Sequence, residues 1–202
     1  MGTRNLTMVV ADGKTRIAQY GQWDGYPSGQ GVKALDFLLK ADLDAFKTKV
    51  LKCRWFSAYK KRELKKFMES IGSKDGWVTM EQAAKYNQKY PMLGRDNGAE
   101  ILNLVNNSTD KVIWLHDESG FAADSLFCEW AYVIDLDKRT FEVYKGFNKT
   151  ELEPDQRFAY LKKEEDNEYY PVRMIKSYSL DELPTPEQFI KELEAVEETE
   201  PV

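Results

Sequence analysis

The stretch 126-LFCEWAYVIDL-136 constrains the fold more than any other part of this chain. Successive residues of a strand point to opposite faces. Cys128, Trp130, Tyr132, Ile134 and Leu136 form one face, and Phe127, Glu129, Ala131, Val133 and Asp135 form the other. Both faces are largely apolar, so this strand belongs in mid-sheet, covered on both sides. The polar turn DLDKR leads on to TFEVYK at 140–145 as a hairpin partner. The chain also opens with a hairpin pattern: RNLTMVV at 4–10 alternates, ADGK turns, and 14–22 continues as a strand. Arg4, Leu6, Met8 and Val10 share one face of the first strand.

Between these hairpins the pattern is helical. Val32, Leu35, Leu38 and Leu39 form a stripe behind Ser28, a candidate cap. Further helices are expected from Asp42, from near Ser57 to Gly72, from the Thr79–Gln82 capping box to Pro91, and from Asp96 through Val105. KVIWLH at 111–116 and YYPVRMIKSY at 169–178 read as strands, the latter at an edge because of Pro171. Thr185, Pro186 and Gln188 start a last helix. The expectation is an α+β fold: an antiparallel or mixed sheet of about five or six strands, built from N- and C-terminal hairpins, with an all-helical block over about 30–107 packed on it. Residues 1–196 form a single domain on this reading, and 197–202 a frayed acidic tail.

Composition removes several function classes. The net charge is −5 with both signs interspersed, which excludes a basic nucleic-acid coat and leaves only local basic patches such as KKRELKK at 60–66. Cys53 and Cys128 are the only cysteines, so neither a disulfide framework nor a cysteine zinc site is expected. His116 is the only histidine, which excludes a histidine-rich metal site. No apolar run is long enough to span a bilayer, the start lacks a signal-peptide pattern, and the cysteine usage suits a reducing cytoplasm.

Two features are candidates for chemistry. Glu129 is a carboxylate on an apolar strand, costly unless paired or hydrogen-bonded. It is either a structural partner of Arg4, a glutamate at a covered rim, or a group facing a pocket with a shifted pKa. The stretch 19-QYGQWDGYPSGQG-31 holds Gly21, Gly25, Gly29 and Gly31, which permit positive φ and close backbone approach. It is either a rigid connector whose Trp23 and Tyr26 plug the core, or a site wall. As a wall, Gln22, Asp24 and Ser28 supply polar groups, Trp23 and Tyr26 supply stacking faces, and the N–H groups near Gly29 and Gly31 take an anion. Asp24 and Glu129 are then the candidate acid and base, with Arg4 among the ligand-binding residues and His116 and Asp117 as accessory groups. Asp24, Asp117 and Glu129 could together hold magnesium or manganese.

The segments Met1–Arg4, Gln19–Pro27 and Glu129–Asp137 resemble a largely uncharacterised family of phage and mobile-element proteins that opens Met-Gly-Thr-Arg, carries a Gln-Tyr-x-Gln-Trp-Asp-Gly-Tyr-Pro segment, and later an acidic-aromatic strand ending Ile-Asp-Leu-Asp. The resemblance brings no catalytic assignment. It implies an accessory protein that counters host defence, for example an anti-CRISPR-type inhibitor, by engaging a nucleotide, RNA or a host defence protein. The other reading is a carboxylate- or metal-dependent hydrolase such as a ribonuclease. A third uses Thr3, set at the start of a strand, as an N-terminal nucleophile, since the Gly2-Thr3 junction resembles a proteasome-type processing site.

Overall fold

The computed structural model describes residues 2–56, 58–73, 78–163 and 168–199. A five-stranded mixed sheet runs in the order β2–β1–β5–β6–β7. Its strands are β1 (Asn5–Ala11), β2 (Lys14–Gly21), β5 (Trp130–Asp135), β6 (Thr140–Lys145) and β7 (Arg173–Ser179). The two hairpins read from the sequence are present, and they join through β1 and β5, which pair in parallel from Asn5↔Trp130 to Val10↔Asp135. Every residue of β1 and β5 is buried. A parallel pair requires a long crossover, and the helical block between the hairpins supplies it.

The helices are α1 (Val32–Lys40), α2 (Leu43–Val50), α3 (Ala58–Ser70), α4 (Met80–Lys89), α5 (Glu100–Asn107) and α6 (Pro186–Thr199). Local signals set several ends. Asp42 accepts from the N–H groups of Asp44 and Ala45, and Thr79 with Gln82 closes a reciprocal capping box. The Thr185–Gln188 pair does the same for α6. Residues 200–202 of the expected tail, and Ser57 at the expected start of α3, lie outside the described residues.

Three local readings are corrected. The strand expected over 126–136 begins only at Trp130, because the N–H groups of Phe127 and Cys128 turn back to Asp124 O. Glu129 therefore stands at the strand's lower end. The helix expected from Asp96 starts after Ala99, since Gly98 is left-handed at φ +51° and its N–H is held by Tyr20 O. The 111–116 strand shortens to β4 (Ile113–Leu115) and pairs with β3 (Cys53–Trp55), a strand hidden inside the helical block, in a separate two-stranded sheet.

One face of the main sheet carries Trp130, Tyr132, Ile134, Phe141 and Val143 against Leu35, Phe46, Ile101, Leu102 and Phe189 of the helices. Trp130 and Tyr132 are near-parallel, with centroids 6.5 Å apart, and Phe141 stacks on Phe189 at 5.7 Å. The other face carries Leu6, Met8, Ala131, Val133 and Tyr144 under Ala122, Phe158 and Val172. On that second face the charged stretch after β6 plants Arg157. Its Nη2 donates to Asp135 Oδ2 at 2.6 Å and to Glu142 Oε1 at 2.8 Å, and its Nε donates to Glu142 Oε2 at 2.7 Å. Tyr144 Oη donates to the same Glu142 oxygen at 2.6 Å. Burial pushes both carboxyl pKa values up. The hydrogen bonds outweigh it, from Lys138 N–H and Arg157 on Asp135 and from Arg157 and Tyr144 on Glu142, so both lie below their usual values.

Arg157→Met is expected to cost about 3–5 kcal/mol at pH 7, because it strands two buried carboxylates. The sign of the pH dependence should also change. In the wild type the two depressed groups stabilise the fold above their unfolded pKa values, about 3.9 and 4.3, and that stability is lost as pH falls through the lower folded values. In the variant, burial without a cation raises both groups, so stability should increase as pH drops from 7 towards 5. Urea denaturation at several pH values checks both trends.

Candidate functional site

The 19–31 bend leaves the end of β2 and crosses the beginning of β1. Gly25 N–H donates to Thr3 O at 2.9 Å, Gln30 N–H to Asp24 O at 2.8 Å, and Gly29 N–H to Tyr26 O at 2.9 Å. Tyr132 Oη donates to Gly25 O at 2.7 Å from the buried face of β5. The Gln30 side chain joins the bend to α5, donating to Trp23 O and accepting from Ala99 N–H. Residues Pro27–Gly31 form a π-helical turn that runs into α1, so Ser28 lies inside the turn and does not cap the helix.

The glycines serve close approach. None of the four is left-handed; that conformation falls on Asp24, at φ +57°. A methyl group on Gly25 would sit 2.6 Å from Thr3 O, and one on Gly31 would sit 2.9 Å from the Tyr132 ring and 3.0 Å from Phe189. The bend is therefore a rigid connector in its backbone. Its rings do not plug the core: Trp23 is 58% exposed and Tyr26 55%. The Gly29 and Gly31 N–H groups expected to take an anion are both used within the turn, donating to Tyr26 O. Gly31 is buried against the core and Gly29 is half-buried.

Glu129 does not face this bend across a cavity. It precedes β5 on one side of the Thr3–Arg4 segment, while Trp23 and Asp24 follow β2 on the other side. Glu129 Oε1 accepts from the backbone N–H of Arg4 at 3.1 Å. The expected Arg4–Glu129 partnership is thus made through the main chain, and the Arg4 guanidinium lies 4.5 Å over the Phe127 ring. Gln22 turns away and accepts from Tyr20 Oη, beside Arg95. Thr3 is 5% exposed and lies beneath the bend.

His116 and Asp117 belong to another region. Asp117 bridges to Ala18 in the middle of β2, and His116 packs 5.2 Å from the Phe56 ring. Burial lowers the His116 pKa; Glu118 opposes this and Lys61 adds to it. The Asp24, Asp117 and Glu129 trio is not assembled, and no group of three or more His, Cys, Asp or Glu among the described residues is arranged to hold a metal ion. Both cysteines are buried; desolvation pushes Cys53 up to about 12 and Cys128 well above its usual value, so both stay protonated thiols. The 60–66 run lies on α3, where Lys60 pairs with Glu63 and Lys61, Lys65 and Lys66 are exposed. No described helix is long and apolar enough to cross a membrane.

What the structure does bring together lies on the helix side of the bend. A cleft of about 360 Å³ is lined by Asp24, Tyr26, Ser28, Gly29, Gln30 and Lys33. A second, of about 480 Å³, continues along α1 past Asp36, Phe37 and Lys40 to Asn103 and Asn106 of α5. The two adjoin at Gly29 and Lys33, and together they run along one side of α1 as a groove of two clefts. Lys33, Lys40 and the two asparagines were not singled out from the sequence; Lys33 and Lys40 lie seven positions apart on one helix, a spacing that puts both on one face. A third cleft, of about 670 Å³, runs between α4 and the turn around Arg95 and contains none of the candidate residues.

Denaturation of single variants separates connector from rings. Gly25→Ala and Gly31→Ala should each destabilise by about 1–3 kcal/mol through overpacking, whereas Trp23→Ala should change stability by less than about 0.5 kcal/mol.

Comparison of the chain with protein-family models, with curated proteins and with solved structures finds no match in any of the three.

Proposed function

We propose that this is a binding protein that engages a nucleotide, free or carried in RNA, through the groove between the 19–31 bend and α1. The observation that supports the reading is the order of groups along that groove. An exposed ring, Tyr26, and a carboxylate without a hydrogen-bond partner among the described residues, Asp24, stand at one end; Lys33 stands at the junction and Lys40 further on. A base stacks on Tyr26, Asp24 accepts from an exocyclic amine or a ribose hydroxyl, and Lys33 meets a phosphate. The side-chain amides of Asn103 and Asn106 serve a second unit. Asp24 keeps a left-handed backbone in this position, the kind of local strain that concentrates at binding sites.

Magnitudes bear on the ligand. One stacked ring and one charged contact supply roughly 3–6 kcal/mol, which is a dissociation constant no tighter than about 40 µM. A ligand of two linked nucleotides, filling both clefts, binds more tightly than a mononucleotide. Asp24 lies in the groove and Glu129 outside it, which supports binding over acid–base hydrolysis by that pair. The kinship suggested by Met1–Arg4, Gln19–Pro27 and Glu129–Asp137 supplies the setting: the ligand belongs to a host defence system, as a guide RNA or a nucleotide signal.

Titration calorimetry with AMP and the dinucleotide ApA tests this. ApA should bind more tightly than AMP. Tyr26→Ala and Lys33→Ala should each weaken ApA by about tenfold. Asp24→Asn should weaken it less, and Glu129→Gln and EDTA should leave it unchanged. Absence of heat with AMP, ApA and the corresponding guanine and uracil compounds would sink the reading.

A further inference from the structure

The five strands end flush on one side: Gly21, Asn5, Trp130, Lys145 and Arg173 are in register across β2, β1, β5, β6 and β7. Just beyond that row stand Trp23, Arg4, Glu129 and Phe147. Three large rings here face water: Trp23 is 58% exposed, Phe147 50% and Phe127 46%, with Leu126 beside them at 36%. They extend from the ends of β2, β5 and β6 on the same side of the sheet. The Trp23 ring covers Gly2, where a methyl group would come within 2.4 Å of it. Arg4 lies over Phe127, and Phe147 N–H donates to Ser125 O at 2.7 Å.

Phe147 adds an independent observation. Its φ is +54°, a conformation that a bulky residue keeps only when its surroundings over-determine it. Asp12 and Arg139, also left-handed, lie in the turns of the two hairpins, where such a conformation is ordinary. Phe147 lies past the end of β6, pinned by Ser125; its ring meets Tyr169 edge-on, with centroids 6.2 Å apart, and half of it stays exposed.

We propose that this end of the sheet is the twofold interface of a homodimer. Two of its charges, on Arg4 and Glu129, are complementary to each other. The Arg4 guanidinium has no carboxylate partner among the described residues, while Glu129 uses one oxygen on the Arg4 backbone N–H. In a twofold contact residue i meets j and j meets i. Arg4 of one protomer therefore pairs with Glu129 of its partner, twice, around a centre of Trp23, Phe127 and Phe147. Tryptophan, phenylalanine and arginine are the residues that interface centres favour. An unpaired nucleic-acid strand is the competing occupant; the Glu129 carboxylate and the aliphatic Leu126 on this surface argue against it. The surface shares no lining residue with the groove along α1.

Sedimentation equilibrium of the full chain over a micromolar concentration series tests the proposal. A monomer–dimer equilibrium is expected, with limits at one and two times 23.4 kDa. Phe127→Ala and Phe147→Gly should each raise the dissociation constant about tenfold or more. Phe147→Gly relieves the left-handed backbone but gives up the ring contact with Tyr169, so melting of each variant at a concentration where it is monomeric, compared with the wild type, separates lost association from lost folding. Arg4→Glu and Glu129→Arg should each weaken the dimer, and the double exchange should restore it by re-forming both pairs in the opposite sense. A monomer at every concentration overturns the proposal. So does a dimer indifferent to the phenylalanine variants, or a double exchange no better than either single change. Binding of oligouridylate that is lost in Phe127→Ala, without any dimer, assigns the surface to nucleic acid instead.

Discussion

The parallel pairing of β1 with β5 is the constraint on which the rest of the structure depends. It joins two hairpins that lie more than a hundred positions apart in the chain. It also buries both strands completely, so each of their faces must be covered. The helices cover the face that carries the stacked rings of β5 and β6, and the segment around Phe158 covers the other. Shifting the pair by one residue would exchange the two faces and send Asp135, now held by Arg157, into the ring-lined side. Register here is therefore specified by both layers at once.

The same pairing explains why the bend at 19–31 is glycine-rich. The chain leaving β2 has to pass over the beginning of β1 to reach the helix layer, and it does so at backbone contact distance. Gly25 passes the carbonyls of Thr3 and Arg4, and Gly31 passes two aromatic rings. With its own N–H groups used internally, the bend is stiff. A stiff backbone with Tyr26 outside it presents a ring whose main-chain ordering cost is already met, which is the physical basis for reading the adjoining groove as a binding site.

The candidate site was only partly legible in the sequence. Glycine clustering with aromatic residues singled out 19–31, because those residue types answer to local chain geometry. Its other wall was not legible: Lys33, Lys40, Asn103 and Asn106 read as ordinary exposed positions of α1 and α5, and only the packing of those two helices makes them face one groove. Glu129 was misplaced for a related reason. Alternation continued into 126–129, but the turn made by Asp124 with Phe127 and Cys128 ends the strand before that carboxylate can enter the sheet. Arg157, the cation that compensates the two buried carboxylates, sits in a stretch with no periodic signal at all.

The sequence by itself determined the α+β class, the two hairpins, the mid-sheet position of β5, the helix start near Asp42, and the caps at Thr79 and Thr185. Each of these follows from alternation, turn chemistry or a side chain reaching N–H groups a few residues away, all of them short-range. Tertiary structure alone decided the parallel join of the hairpins, the separate β3–β4 sheet, the Arg157 cluster, and the groove along α1. Those depend on contacts between residues far apart in the chain, where the free energy comes from burying a shared surface and no local pattern records the partner.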